Sequence, residues 1–241
     1  MNRSRSRLIV ALDVPCREEA LAIVSRLSGH VGLFKVGLEL YVREGPRLVS
    51  ELLASGAEVF LDLKLHDIPN TVAGAVRSAA RLGVRMLTVH ASGGTAMLEA
   101  ARAAAETSTC PPLLLAVTVL TSISPHDARQ IGMEMPLDQW VEQLGRTARD
   151  AGLRGLVSSP LELARLRKAF GPDMQLVAPG IRPAGADMQD QARASTPGAA
   201  IRSGADFLVV GRPILQAPDP AAAADDIVAE IAAARPDSGP A

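Results

Sequence analysis

Five ionisable residues stand where a folded chain has least reason to keep them. In VFLDLKLHDIPNT (59–71) an apolar run carries Asp62 and Lys64, and Asp67 follows just beyond it. Asp13 closes a second apolar run, RLIVALD (7–13), and Lys35 interrupts a third, LFKVGL (33–38). Each ionised group taken from water costs several kcal/mol unless it is paired or hydrogen-bonded. A buried network that served only stability could often be replaced by apolar residues at no loss, so the cluster reads as chemistry. Alternating carboxylates and ammoniums can keep a lysine protonated and aim it at a reacting carbon, the arrangement of a general acid. His66 and His90 stand at strand ends and read as hydrogen-bonded structural histidines.

A second group suits an anion. In VVGRPI, Gly211 lets the backbone approach a ligand closely and Arg212 can pair with phosphate oxygens, as can Arg182 in VAPGIRP.

The elements that must position these groups follow from eight short apolar runs: RLIVALD (7–13), LFKVGL (33–38), EVFLDLKL (58–65), MLTVHA (86–91), LLLAVTVL (113–120), GLVSS (155–159), QLVAPGI (175–181) and DFLVVGR (206–212). Between them lie stretches of helical periodicity ending at glycine, such as REEALAIVSRLSG and PLELARLRKAFG. Near-continuous apolar strands alternating with helices imply a parallel sheet covered on both faces. Eight such units in 241 residues predict a single-domain α/β chain, a (β/α)8 TIM barrel. An open doubly wound sheet would more often carry G-x-G-x-x-G after its first strand, where this chain has VPCREE. Along the third run, Phe60, Asp62, Lys64 and His66 share one face and Leu61, Leu63 and Leu65 the other. In a barrel the leucines pack beneath helices and the charges point inward near the C-terminal mouth, where barrel enzymes build their sites. The loops after strands seven and eight, with the start of a short helix, are where barrels frequently bind phosphate. The longest irregular connections are ISPHDARQIGMEMP (123–136) and RPAGADMQD (182–190), and the second is the candidate lid.

Composition narrows the partner. Hydrophobic residues make up 48% and charged residues 21%, with a net charge of −1 and a pI near 6.4. No basic field is available for a nucleic-acid backbone or an anionic membrane, which leaves a small molecule. Aromatics at 2% offer little stacking surface for single strands, and Tyr41 and Trp140, in helical context, read as packing. Cys16 and Cys110 have no ligand spacing, which fits a reducing cytoplasm and neither a disulfide framework nor a zinc site. The run LIVAL behind the basic N-terminus is too short for a signal-peptide core, and no transmembrane stretch occurs. Residues 1–6 and 236–241 read as flexible tails of one domain spanning 1–241.

The motifs LDV, FKVG, DLKLHDIPNT, VTVLTS, APGIRP, DQAR and VVGRPI, in this order between about Leu8 and Ile214, resemble those of the bacterial orotidine 5′-phosphate decarboxylases, enzymes of pyrimidine nucleotide synthesis. The resemblance implies decarboxylation of orotidine 5′-phosphate to uridine 5′-phosphate without metal or cofactor. It implies that Asp13 and Lys35 bind the ribose hydroxyls, that Asp62 faces the substrate carboxylate, and that Lys64 donates the proton to C6. It further implies that Asp67 and Thr71 reach across a homodimer interface to complete an array of Lys35, Asp62, Lys64 and Asp67. Ile68 joins the substrate-binding positions, Thr121 lies near the base, and Arg182, Gln191, Gly211 and Arg212 hold the 5′-phosphate. One small departure is VSSP, with Ser158 where cysteine or serine is expected, and it puts nothing catalytic in doubt. Two other readings stay open on the residues: a sugar-phosphate decarboxylase or aldolase using Mg²⁺ to stabilise an enediolate, and a non-catalytic sensor of a phosphoribosyl ligand.

Overall fold

A computed structural model describes residues 3–183 and 195–234. Each of the eight apolar runs forms a strand: β1 Leu8–Ala11, β2 Leu33–Val36, β3 Val59–Leu65, β4 Met86–His90, β5 Leu113–Val117, β6 Gly155–Val157, β7 Gln175–Ala178 and β8 Phe207–Val210. All pair in parallel in chain order, and β8 pairs with β1, so the sheet closes into the (β/α)8 barrel that the alternation predicts. The helices are α1 Arg17–Leu27, α2 Leu38–Ala54, α3 Pro69–Leu82, α4 Gly94–Glu106, α5 Pro125–Gln130, α6 Leu137–Asp150, α7 Leu163–Phe170, α8 Pro197–Arg202, α9 Arg212–Leu215 and α10 Pro220–Ala233.

The period of two along each strand divides the apolar side chains between two cores. Leu8, Val10, Phe34, Val59, Leu61 and Leu87 face outward into a large core shared with the helices, which Tyr41 and Trp140 flank. Ile9, Ala11, Leu33, Phe60, Met86, Leu115, Val177 and Val209 face inward and form a separate plug. The interior is tight: a Cβ on Gly155 would stand 2.4 Å from Leu115 Cδ2 and 3.0 Å from the Leu114 carbonyl oxygen, so a larger residue there would have to displace Leu115. Toward the C-terminal end the inward positions turn polar, beginning with Lys35, Asp62 and Thr88.

Local chemistry sets where the mouth begins. Helix α3 starts with Ile68 as its N-cap and Pro69 at its first position, and ends at Gly83 in the left-handed conformation. That start puts Asp67, Ile68 and Thr71 at the rim. The connection 123–136, read as irregular, contains α5. Ser124 and Asp127 form a reciprocal capping box there, and Pro125 needs no N–H at the first position. PLELARLRKAFG opens as a 3-10 turn, Pro160–Glu162, because Ser159 Oγ accepts the N–H of Leu161; only then does α7 begin.

The opposite face is clamped by arginines. The Arg167 guanidinium donates to the carbonyls of Gly171, Met174 and Gly204 and to Asp206 Oδ2. Arg7 donates to the carbonyls of Ala205 and Asp206, tying the entry of β1 to that of β8. Within the segment read as a tail, Ser4 is buried and Arg5–Arg7 form a 3-10 turn. Residues 1–2 and 235–241 lie outside the described residues.

Candidate active site

Strand β3 delivers the central charges. Phe60 belongs to the inner plug, and Asp62 and Lys64 follow it into one cavity at the C-terminal mouth, while Leu63 and Leu65 pack toward the outer core. The pairing of β3 with β4 slips between Leu61 and Leu65. Inside that slip Lys64 has φ of 51°, the one non-glycine residue with positive φ among the described residues. A residue with a Cβ adopts this region at a cost of roughly 1–2 kcal/mol. The Lys64 N–H donates to Thr88 Oγ1 at 2.9 Å, and the Thr88 hydroxyl donates to Asp62 Oδ1 at 2.9 Å.

The charges alternate in space as well as in type. Lys64 Nζ lies 2.9 Å from Asp62 Oδ2, and Lys35 Nζ lies 3.6 Å from the same oxygen and 3.6 Å from Asp13 Oδ1. The Lys35 and Asp62 side chains are only 13% and 12% exposed, whereas Lys64 is 30% and Asp13 59%, so the array runs from the buried interior out to open solvent. Charges this deep recover their desolvation cost only with close geometry and complete hydrogen bonding, and Asp62 has both. Two glycines leave room for the array. A Cβ on Gly37 would come within 3.0 Å of Lys35 Nζ, and one on Gly211 within 3.3 Å of Asp13 Oδ2.

Thr121, Arg182, Gly211 and Arg212 line the same cavity as Asp13, Lys35, Asp62 and Lys64. Arg182 is held by its backbone N–H, which donates to Ser195 O at 2.9 Å where Ile181 and Ser195 bridge. Gln191, and 184–190 of the expected lid, lie outside the described residues. Asp67, Ile68 and Thr71 are not brought into the cavity of their own chain. All three are exposed at the rim, Asp67 Oδ1 accepts the N–H of Ile68 at 2.6 Å, and Asp67 forms no ion pair among the described residues.

Thr88 and Glu162 escaped the sequence reading, and Ser158 was noted there without a role. Thr88 is fully buried on β4, and Ser158, nearly as buried, lines the cavity. Ser158 accepts from Thr118 Oγ1 at 3.3 Å and donates to the buried Glu162 at 3.4 Å, a polar wall beside Thr121. Nothing in MLTVHA marks a threonine as other than a good strand former, and Glu162 reads as one more charge on a helix. His66 and His90 pack ring against ring with centroids 5.2 Å apart. Burial holds His90 below its ordinary value of 6.5, and the nearby His66 and Lys64 press it the same way against the opposing pull of Asp62. Among the described residues no three His, Cys, Asp or Glu side chains are grouped to hold a metal ion.

Residues 6–227 match the family described as orotidine 5′-phosphate decarboxylase / HUMPS. An orotidine 5′-phosphate decarboxylase of Moorella thermoacetica is 50% identical over 234 residues, covering 95% of this chain and 93% of the relative. That of Opitutus terrae is 53% identical over 224 residues, 93% of this chain and 97% of the relative. The crystal structure of the Lactobacillus acidophilus enzyme superposes with a TM-score of 0.84 at 40% identity, over 93% of this chain and 98% of that one.

Proposed function

The chain belongs to the orotidine 5′-phosphate decarboxylase / HUMPS family, and from that premise we propose that it converts orotidine 5′-phosphate to uridine 5′-phosphate and CO₂ for pyrimidine synthesis, with Lys64 as the proton donor. The observation that carries the reading is the Lys64 ammonium, 2.9 Å from Asp62, in a cavity that Arg182 and Arg212 also line.

Breaking the bond from C6 to the carboxylate leaves its electron pair on a vinyl carbon that no ring orbital can delocalise. A fixed cation at that carbon is the effective stabiliser, and a preorganised one costs no reorganisation at the moment of reaction. Lys64 supplies this charge and then its proton to C6, and regains a proton from water. The ammonium provides both functions, so the step requires no cofactor. Asp62 sets a negative charge beside the substrate carboxylate, which is relieved as CO₂ departs. Lys35 balances Asp62 from the other side and, with Asp13, presents polar groups to the ribose hydroxyls. Thr121 meets the base. Gly211, Arg182 and Arg212, with Gln191, take the 5′-phosphate, the arginines through charge-assisted bonds.

Asp67, Ile68 and Thr71 act in a homodimer, each chain presenting them to its partner's site. Their exposure at the rim supports this, as do the apolar Ile68, Leu38 and Val42, which are 67%, 52% and 81% exposed on adjacent β/α units. Asp67 then adds the fourth charge to the alternating array. The protein works in the cytoplasm as one domain over 1–241, which suits its two free cysteines.

The test is the loss of orotidine 5′-phosphate absorbance on adding purified protein, with and without EDTA. Loss that ignores EDTA supports the reading. Loss abolished by EDTA assigns the chemistry to a metal, and binding without loss assigns the cavity to a sensor.

A further inference from the structure

We infer that Thr88 is a positioning residue that holds the Lys64 ammonium at the reacting carbon, an inference that rests on the lysine reading above. Thr88 is 0% exposed on β4, and its side chain reaches across to β3. Its hydroxyl has one donor and two lone pairs, and both kinds of bond are used: it accepts the Lys64 N–H at 2.9 Å and donates to Asp62 Oδ1 at 2.9 Å. A backbone N–H can only donate and an ionised carboxylate can only accept, so the hydroxyl proton has one possible direction. One side chain thereby fixes two things at once.

The first is the backbone of Lys64. Its φ of 51° lies inside the slip between β3 and β4, where the regular ladder offers its N–H no partner. An unpaired buried N–H in a disfavoured conformation would relax toward the extended region, and the Thr88 hydroxyl removes that incentive. The second is the rotation of the Asp62 carboxylate. With Oδ1 engaged by Thr88, Oδ2 is left to face Lys64 and Lys35 together. Losing the hydroxyl frees φ of Lys64 and the Asp62 carboxylate in one step, and both motions carry the ammonium away from its place. Reacting groups misplaced by about 1 Å can lose about a hundredfold in rate.

Thr88→Val keeps the shape and deletes both bonds, while Thr88→Ser keeps both bonds and deletes a methyl. The expected result is a fall in kcat of about tenfold or more for the valine variant, with KM within about threefold of wild type, and recovery of most of that loss by serine. Melting temperature shows that each variant assayed is folded, and a loss in kcat at near-constant KM, restored by serine, is the readout that packing alone would not move. A smaller fall in kcat, a loss confined to KM, or a serine variant no better than valine overturns the inference. Should the valine variant not fold, Thr88→Ala gives the same comparison with no branch to clash. Lys64→Ala assayed alongside keeps the two readings apart: if it still turns over, the premise fails and the inference with it; if it is inactive, the Thr88 variants decide.

Discussion

Lys64 and Asp62, two residues apart on β3, touch at 2.9 Å. In a regular strand such neighbours point the same way from Cα atoms about 6.6 Å apart and have no need to meet. Here Lys64 also carries a left-handed φ, and the Asp62 oxygen that receives its ammonium also faces Lys35. The strain and the ion pair belong to one arrangement, and it lies at the mouth of the barrel.

Removing a phosphate partner should weaken binding far from the reacting carbon. A charge-assisted hydrogen bond is worth about 1.5–3 kcal/mol, so Arg212→Ala should raise KM for orotidine 5′-phosphate roughly 10- to 150-fold. Orotidine itself, lacking the phosphate, should lose kcat/KM by a larger factor, because remote binding energy assists the chemical step. Steady-state rates measure both, and an unchanged KM in the arginine variant would remove Arg212 from the phosphate site.

The dimer can be tested by complementation. Asp67→Asn and Lys64→Ala chains should each be nearly inactive alone. Mixed and refolded together they should form heterodimers with one intact site, restoring activity in about a quarter of all sites for random pairing. No recovery on mixing, or sedimentation as a monomer at working concentration, contradicts a shared site.

Burial of His90 gives stability a pH dependence with a definite sign. The folded protein binds this proton less readily than the unfolded chain, so the full contribution is present above 6.5 and is lost as pH falls below it. The decline in urea stability between about pH 7.5 and pH 5.5 should therefore be flatter in His90→Asn than in wild type. Parallel declines would mean that His90 is not held neutral by the fold.

Arg167 should matter for stability and not for turnover. Its guanidinium joins three carbonyls to Asp206 on the face opposite the site, with side-chain exposures of 23% and 27% for the pair. Discounted for that partial exposure, Arg167→Ala should cost about 2–3 kcal/mol in unfolding free energy. kcat should stay within about twofold of wild type, since no group at the mouth moves. A large loss of kcat in folded protein would contradict the separation of the two faces.

The architecture was legible because its signal is coarse: RLIVALD and DFLVVGR are apolar on both faces, as strands of a parallel sheet covered on both sides are, and eight such runs alternate with helical stretches. The period of two likewise placed Phe60, Asp62 and Lys64 on one inward face, as found. Thr88 was invisible, since a buried threonine in a strand differs from valine only by a partner that lies 24 residues away, at Lys64. The positive φ of Lys64 was equally hidden, because sequence marks that conformation with glycine or asparagine and lysine carries no such mark. The helix within 123–136 could have been read from Ser124, Pro125 and Asp127, which together spell a capping box.

The most direct test is Lys64→Ala, assayed for turnover of orotidine 5′-phosphate and, separately, for affinity toward uridine 5′-phosphate. The expected result is a loss of kcat of roughly four decades or more, since one group supplies both the stabilising charge and the proton, with product affinity within about fivefold of wild type. Turnover within about tenfold of wild type would contradict the assignment of Lys64 as proton donor, and the charges in VFLDLKLHD would need another explanation.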